Sequence, residues 1–481
     1  MTFAQAVIQN PQAARTTNGM RAHSASGSAL VDLFYKIGAS RGKNITADFE
    51  SAFQADQDIA IKIALWARDV RGGAGERQLF RDILVHLEKH HPDVLECMIP
   101  FVPEFGRWDD LLVFTTPKFK SFAFDLIGQA LKDCHGLCAK WMPRKGPIAA
   151  QLRSHLGMTP KQYRTTLVAL TDVVETKMCA QDWNSIDFGK LPSLASSRYS
   201  KAFAKNAADA YQAYKQRLVS GTDKVNAAAV YPHDIVKSIR MGGDITVAEA
   251  QWDALPNYIG NANVMALVDV SGSMSCPVGG NPNLLCIDVA TALGVYCADK
   301  NTGAFKDTFI TFSAKPKAMV LKGSLGQKLS QMNSAEWGMN TNLHAAFEEI
   351  LRIAVDGKVS QEDMPATLVI FSDMQFDSCV KHDDRAMDMI RRKYESSGYT
   401  VPKVVFWNLN SYGNVPVKFN EQGTALVSGF SPSVMKAILS GAEMTPEAIM
   451  LATVDIPRYD VVRQTASQTA RQEQLMHTVI L

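Results

Sequence analysis

The run Asn263-Val264-Met265-Ala266-Leu267-Val268-Asp269-Val270-Ser271-Gly272-Ser273-Met274-Ser275 constrains this chain more than any other stretch. Its apolar residues come without alternation, the pattern of a strand buried on both faces inside a mostly parallel sheet. The strand stops at an aspartate, and two hydroxyls follow it at the spacing Asp-x-Ser-x-Ser. One carboxylate and two neutral hydroxyls therefore meet on a loop at the carboxyl edge of a sheet. Hard cations such as Mg²⁺ take oxygen ligands in near-octahedral geometry and keep several waters. A site so weakly charged retains open positions, which suits capture of a partner's oxygen better than hydrolysis.

The second half of the chain alternates strands and helices, as an open sheet with helical crossovers does. Strands are expected over 264–269, 305–313, 318–321, 366–373, 403–408 and 424–428. Helices are expected over 284–298, 343–355, 384–397 and 432–439. In such sheets ligands bind beyond the carboxyl ends of the strands. Two further pieces reach that edge with oxygen side chains, Asn340-Thr341-Asn342 and Ser372-Asp373. Asp269, Ser271, Ser273, Thr341 and Asp373 are thus candidate ligands for Mg²⁺ or another divalent cation. The competing account is turn-capping hydroxyls beside one helix-capping aspartate.

The first half reads as helical. Apolar residues recur at helical spacing over 59–67, 79–87, 122–131, 163–178 and 202–218, with Gly or Pro at the breaks. Helix pairs with short turns suggest a solenoid of stacked, degenerate repeats. Residues 1–30, rich in Ala, Gln, Asn, Ser and Thr, are expected to be loosely ordered. The domain reading is 1–30 as a flexible segment, 31–254 as a helical-repeat body, and 255–481 as the sheet domain.

The net charge of +2 hides an asymmetry. Residues 1–240 carry 31 Lys+Arg against 23 Asp+Glu, while 241–481 carry 19 against 25. Most of the excess lies in 111–240, with 19 basic against 9 acidic residues, which suggests an anionic partner for the helical half. A solvated lysine-rich surface is the rival reading. Apolar runs are strand-length, so no membrane span is expected, and no secretory signal is visible at the N-terminus. Cys134 and Cys138 flank His135, but no second Cys/His pair follows at zinc spacing, and the eight cysteines read as reduced cytoplasmic thiols.

The sheet motifs resemble the metal-ion-dependent adhesion site (MIDAS) of von Willebrand factor A domains. That resemblance aligns Asp269, Ser271, Ser273, Thr341 and Asp373 with the metal positions. The threonine loop, Trp337-Gly338-Met339-Asn340-Thr341-Asn342, departs from the commoner glycine-glycine-threonine form, and Asp373 is followed by Met-Gln-Phe-Asp in place of glycine. The first half is similar to Ro-type (TROVE) RNA-binding proteins. Four segments carry the likeness: Ala67-Arg68-Asp69-Val70-Arg71-Gly72-Gly73-Ala74-Gly75-Glu76-Arg77, Phe105-Gly106-Arg107-Trp108-Asp109-Asp110-Leu111-Leu112, Ala139-Lys140-Trp141-Met142-Pro143-Arg144 and Pro192-Ser193-Leu194-Ala195-Ser196. The resemblance implies an α plus α/β chain: a HEAT-like helical ring or solenoid followed by a doubly wound, Rossmann-like A domain. It further implies that structured small non-coding RNA docks outside the ring and single-stranded RNA ends enter its basic hole.

Physical reading of the residues gives three clusters of candidate RNA contacts. Arg68, Arg71 and Arg77 flank a glycine-rich turn where Arg forks and backbone N–H groups approach a phosphate, or where an Arg–acid bridge stiffens a corner. Lys140, Trp141, Arg144, Lys145, Arg153, Lys161, Tyr163 and Arg164 mix cations with aromatics, as grooves for single strands do, unless the two aromatics are core residues and the cations merely face water. Arg198, Lys201 and Lys205 share a helix, with Ser196, Ser197 and Ser200 nearby as further phosphate donors, a solvated helix face being the rival reading. The resulting expectation is a non-catalytic RNA-binding protein serving RNA quality control or tethering an exoribonuclease. The alternative is a metal-dependent protein-interaction adaptor working through the A domain. Metal-assisted phosphodiester cleavage ranks third, because no nucleophile and general base stand together in the sequence.

Overall fold

The computed structural model describes residues 13–461, apart from 228, 279–280, 313–314, 334–341, 377–385, 411–412 and 441–442. A short hairpin opens it, β1 (Ala13–Arg15) against β2 (Arg21–His23). The helical part follows with α1 (Ala29–Ile37), α2 (Thr46–Ala55), α3 (Gln57–Arg68), α4 (Arg77–His90), α5 (Pro92–Met98) and α6 (Val102–Phe105). Next come α7 (Pro117–Lys132), α8 (Gly136–Trp141), α9 (Pro147–His155), α10 (Pro160–Leu170) and α11 (Val174–Cys179). α12 (Ser193–Asn206), α13 (Ala208–Val219), α14 (Pro232–Arg240) and α15 (Ile245–Asp253) complete it.

Local chemistry explains the starts of many of these helices. Ser28 and Asp56 accept from backbone N–H groups at the heads of α1 and α3, and Thr159 with Gln162 forms a reciprocal cap on α10. Proline occupies a first-turn position in α5, α7, α9, α10 and α14, where its missing N–H costs nothing. The stretches expected to be single helices over 163–178 and 202–218 are each divided, at Thr171–Val173 and at Ala207.

The sheet holds β3 (Val264–Asp269), β6 (Thr308–Phe312), β7 (Ala318–Val320), β8 (Thr367–Ser372), β9 (Lys403–Asn408) and β10 (Thr424–Ser428) in the spatial order β10-β9-β8-β3-β6-β7. All neighbours run parallel except the edge pair β6–β7. β3 and β8 are buried at every position, as their unbroken apolar runs demand. A small hairpin, β4 (Pro277–Val278) with β5 (Asn281–Leu285), precedes α16 (Cys286–Lys300). The remaining helices are α17 (Leu325–Asn333), α18 (Leu343–Gly357), α19 (Ala386–Ser396), α20 (Met435–Ile438) and α21 (Pro446–Val454). From β3 the chain moves outward to β6 and later returns to β8 on the other side. The carboxyl ends of β3 and β8 therefore flank the point where the sheet changes direction, the usual crevice for a ligand.

One apolar core runs from Met20 to Tyr459 and takes in both the helical part and the sheet; a smaller one gathers Val174, Phe188, Phe203, Tyr211, Tyr214 and Val247. Segment 1–30 departs from the expected loose order wherever it is described. Thr16 Oγ1 donates to the Phe376 carbonyl (2.6 Å), Asn18 Nδ2 to the Gln375 carbonyl (2.7 Å), and His23 pairs with Val415. This polar segment is ordered by its own hairpin together with hydrogen bonds to the loop beyond Asp373. Among the described residues no helix is long and apolar enough to cross a membrane.

Candidate metal centre and basic face

Asp269 ends β3, and its carboxylate is fully buried. Oδ1 accepts from the Ser271 N–H (2.9 Å) and Oδ2 from Ser372 Oγ (2.5 Å) on the adjoining strand β8. Ser271 and Ser273 place their hydroxyls 3.0 Å apart on the following turn. Asp373, directly after β8, is also buried; Oδ1 accepts from the Gln375 N–H (3.2 Å), while Oδ2 has no hydrogen-bond partner. The structure thus brings four of the five sequence-derived ligands to one edge. Thr341 lies outside the described residues.

Two carboxylates in such a place are electrostatically expensive. Burial, with the neighbouring Asp373 charge, pushes Asp269 up to about 7 against hydrogen bonds from Ser372 and Ser271. Burial raises Asp373 as well, with the Ser273 hydroxyl pulling it back. No lysine or arginine pairs with either acid among the described residues, and an oxygen of Asp373 is orphaned. A divalent cation held by oxygen donors would answer both conditions, so the residues present fit the group that the sequence implies.

Of the two readings of the glycine-rich turn, a phosphate cradle or a corner stiffened by Arg–acid bridges, the contacts fit the second. Arg68 is buried, and its Nε donates to the fully buried Asp110 (2.8 Å), leaving no guanidinium face for RNA. Asp110 also takes Arg81 Nε (2.6 Å) and the Arg107 N–H (2.9 Å), so the Phe105–Leu112 segment clamps the turn from beneath. Asp69 receives Arg458 through Nε (2.6 Å) and Nη2 (3.0 Å) and also the Tyr459 hydroxyl (3.0 Å). Glu76 is gripped by Arg41 Nε (2.7 Å), whose guanidinium lies 4.1 Å from the Phe430 ring centre. Gly73 must lack a side chain, since a Cβ there would stand 1.9 Å from the Trp66 carbonyl oxygen. The motif is therefore the joint between helices and sheet domain. Arg71 remains exposed, and Arg77, partly exposed, is paired with Asp109.

The second cluster is free of acidic side chains. Between Asp133 and Asp172 the chain carries six Lys and Arg and no acid. Arg144, Lys145, Lys161 and Arg164 are exposed, Lys140 and Arg153 partly so, and none makes an ion pair among the described residues. Trp141 is half-buried, with the Arg107 guanidinium 4.1 Å above its ring and Lys140 Nζ at 5.6 Å. Trp108 meets His135 edge-on at 5.2 Å beside them. Tyr163 is a core residue instead, donating to the Pro143 carbonyl (3.0 Å). Arg107 was missed in the sequence; its place between Gly106 and Trp108, in a motif already singled out, was the available signal.

The third cluster divides by face. Arg198, Lys201 and Lys205 are exposed along α12 without acidic partners among the described residues, though Lys201 donates to the Met241 carbonyl (3.3 Å). Ser196 and Ser200 are buried and contact no solvent, a correction to their expected role as phosphate donors. Gln251 explains the packing of that end: its Nε2 donates to the Ser193 carbonyl (2.9 Å) and its Oε1 accepts from Ser197 (2.9 Å).

Residues 263–480 match a domain of unknown function (DUF7788), and residues 16–115 and 147–263 match a second one (DUF2828). Uncharacterized protein L728 of Acanthamoeba polyphaga mimivirus is 33% identical over 506 residues, covering 92% of this chain and 87% of that protein. Among solved structures, the Ro (RSR) protein of Deinococcus radiodurans is similar over 89% of this chain and 100% of that one, at 14% identity and a TM-score of 0.47.

Proposed function

The chain belongs to the family of the mimivirus protein L728, and we propose that it acts as a non-catalytic RNA-binding protein whose sheet domain holds a divalent cation. The observation that carries this reading is the acid-free stretch between Asp133 and Asp172, with its unpaired cations around the Arg107–Trp141 stack. Phosphates are neutralised by such cations, and unpaired bases stack on exposed ring faces. The resemblance of the helical motifs to Ro-type proteins agrees with small structured RNA carrying a single-stranded end as the ligand. Support for a closed helical ring comes from its two ends meeting: a Cβ on Gly75 would stand 2.3 Å from Tyr231 Oη, and His233 packs edge-on against Phe430 beneath Arg41.

The test is binding of a duplex with a single-stranded tail across a salt series, with Lys140/Arg144/Lys145→Ala as comparison. Wild-type affinity should fall steeply with salt, and the triple variant should bind weakly, with a slope shallower by about 0.7–0.9 for each phosphate that it no longer neutralises. Equal binding by both proteins would refute the assignment of this face.

A second reading is favoured by the orphaned Asp373 oxygen beside Ser271 and Ser273. A cation held by Asp269, Ser271, Ser273 and Asp373 would act as a Lewis acid with a position open to an acidic side chain of a partner, such as a nuclease. Mg²⁺-dependent capture of that partner, lost in Asp269→Ala, would support an adaptor role.

A further inference from the structure

A second constellation of metal-type donors lies on the helical part, on elements that supply nothing to the Asp269 edge. Glu50 projects from α2, His86 from the last turns of α4, and His91 stands between α4 and α5. His86 Nε2 is 2.7 Å and His91 Nε2 2.9 Å from the same oxygen, Glu50 Oε2. All three donor atoms lie within 4.8 Å of one another.

The side chains are held there by their surroundings. Phe49 meets the His86 ring edge-on at 6.0 Å, His90 packs on its other side at 4.6 Å, and the His91 ring lies 4.1 Å from that of Phe53. Gln54 Nε2 donates to the other oxygen of Glu50 (2.7 Å), fixing the carboxylate. Solvent reaches the cluster, since the side chains of His86, His91 and Glu50 are 16%, 19% and 33% exposed. The carboxyl end of α4 adds a negative potential favourable to a cation.

We propose that Glu50, His86 and His91 bind a zinc-type divalent transition-metal ion. Two neutral imidazole nitrogens and a carboxylate oxygen are the donor set of three-ligand zinc sites, which leave a fourth position to water or an outside donor. The set is too nitrogen-rich for Mg²⁺, which separates it from the oxygen site at the sheet edge. Binding through Nε2 requires the ring proton of each histidine to sit on Nδ1, so a neutral imidazole changes tautomer and an imidazolium gives up one proton to solvent. The ion would staple α2 to the α4–α5 junction and stiffen the start of the helical part.

The experiment is a Zn²⁺ titration of the full chain by calorimetry in excess Mg²⁺, followed by Co²⁺ substitution read by visible absorption. Variants are His86→Asn, His91→Asn and Glu50→Gln, with Asp269→Ala as the control at the other site; circular dichroism without metal shows which variants fold. Wild type and Asp269→Ala should bind one Zn²⁺ and give the intense spectrum of four-coordinate Co²⁺. The histidine variants should lose more than the ~10–100-fold that an outer-shell partner costs. Glu50→Gln keeps the shape of the side chain and should weaken Zn²⁺ binding; its metal-free melt, set beside that of wild type, separates the loss of the His86 and His91 hydrogen bonds from the loss of a ligand. Zn²⁺ binding that survives in folded His86→Asn and His91→Asn, or no binding by wild type, would overturn the site.

Discussion

Arg68 and Lys140 carry the same charge, and their surroundings give them opposite roles. Arg68 is sealed against Asp110, so removing it empties a buried site and takes from that carboxylate the partner on its Oδ2 side, with only Arg81 and the Arg107 N–H left to hold it. Arg68→Ala should therefore cost about 3–5 kcal/mol, seen as a fall in the denaturant midpoint, with RNA affinity unchanged where the variant is still folded. The Lys140/Arg144/Lys145→Ala variant should show the reverse, a stability change within about 0.5 kcal/mol and a large loss of RNA binding. At Asp269 the deciding quantity is pH. Burial holds its carboxyl up to about 7, above the unfolded value near 3.9, so the native state retains a proton that the unfolded chain releases. The metal-free protein should accordingly lose stability as pH rises from about 4 to about 7, and lose no more from this group above that. Mg²⁺ needs the ionised form, so its stabilising effect should be greater at pH 8 than at pH 6. Asp269→Asn should be more stable than wild type at pH 8 without metal and gain nothing from Mg²⁺; an equal Mg²⁺ shift at both pH values would contradict the assignment.

Among the elements, Lys62 shows how far periodicity reaches. It sits mid-helix in α3 amid Ile61, Ile63, Ala64 and Leu65, a run that marks the helix correctly and says nothing of the lysine's partners. Those partners are Asp58 (3.3 Å) one turn away and Asp455 and Asp460 (2.6 Å each) beyond α21. Burial pulls the ammonium's pKa down, but the hydrogen bonds it donates to the three carboxylates outweigh it and hold the group charged. Because Asp455 and Asp460 remain 51% and 33% exposed, their charges stay hydrated when the lysine is lost. Lys62→Met should thus cost about 1–2 kcal/mol, less than Arg68→Ala, in the same denaturant measurement. Sheet elements were legible for a related reason: β3, β8, β9 and β10 are short apolar runs with the period of buried strands, and their ends fall within a residue or two of expectation. The motif Asp-x-Ser-x-Ser was legible because its ligands are local, whereas Thr341 stands outside the described residues and leaves the threonine loop open. The α21 helix, the β4–β5 hairpin and the hairpin at 13–23 escaped notice. The hairpin at 13–23 draws part of its order from a distant contact, Thr16 with Phe376, that no local pattern records, whereas the Thr445-Pro446 start of α21 was a local signal left unread.

For the whole molecule, the sequence suggested a boundary near residue 254, and the packing shows what that boundary does not divide. Gly38 approaches Gly429 so closely that a Cβ on Gly38 would stand 2.2 Å from the Gly429 Cα, and the Gly38 N–H donates to Ser428 Oγ (2.9 Å) at the end of β10. On the opposite side Trp252 Nε1 donates to Asp299 (2.8 Å) and Arg240 pairs with Asp288, so α14 and α15 are fastened to α16. The sheet domain is thus held at both ends of the helical part and shares its largest core with it. A fragment of residues 255–481 would expose Phe430 and Tyr459, both buried against helical residues, and lose Arg41 and Asp69 as their partners. It is expected to be molten, binding a hydrophobic dye and lacking near-ultraviolet dichroism. The intact chain should unfold in one calorimetric transition, because neither part retains a complete core after the other opens. Gly38→Ala should lower that single transition by the cost of about 1–3 kcal/mol for an overpacked contact, shifting helical and Trp407-centred signals together. Two resolved transitions, with only one moved by Gly38→Ala, would mean that the joint is a docking surface between independent domains.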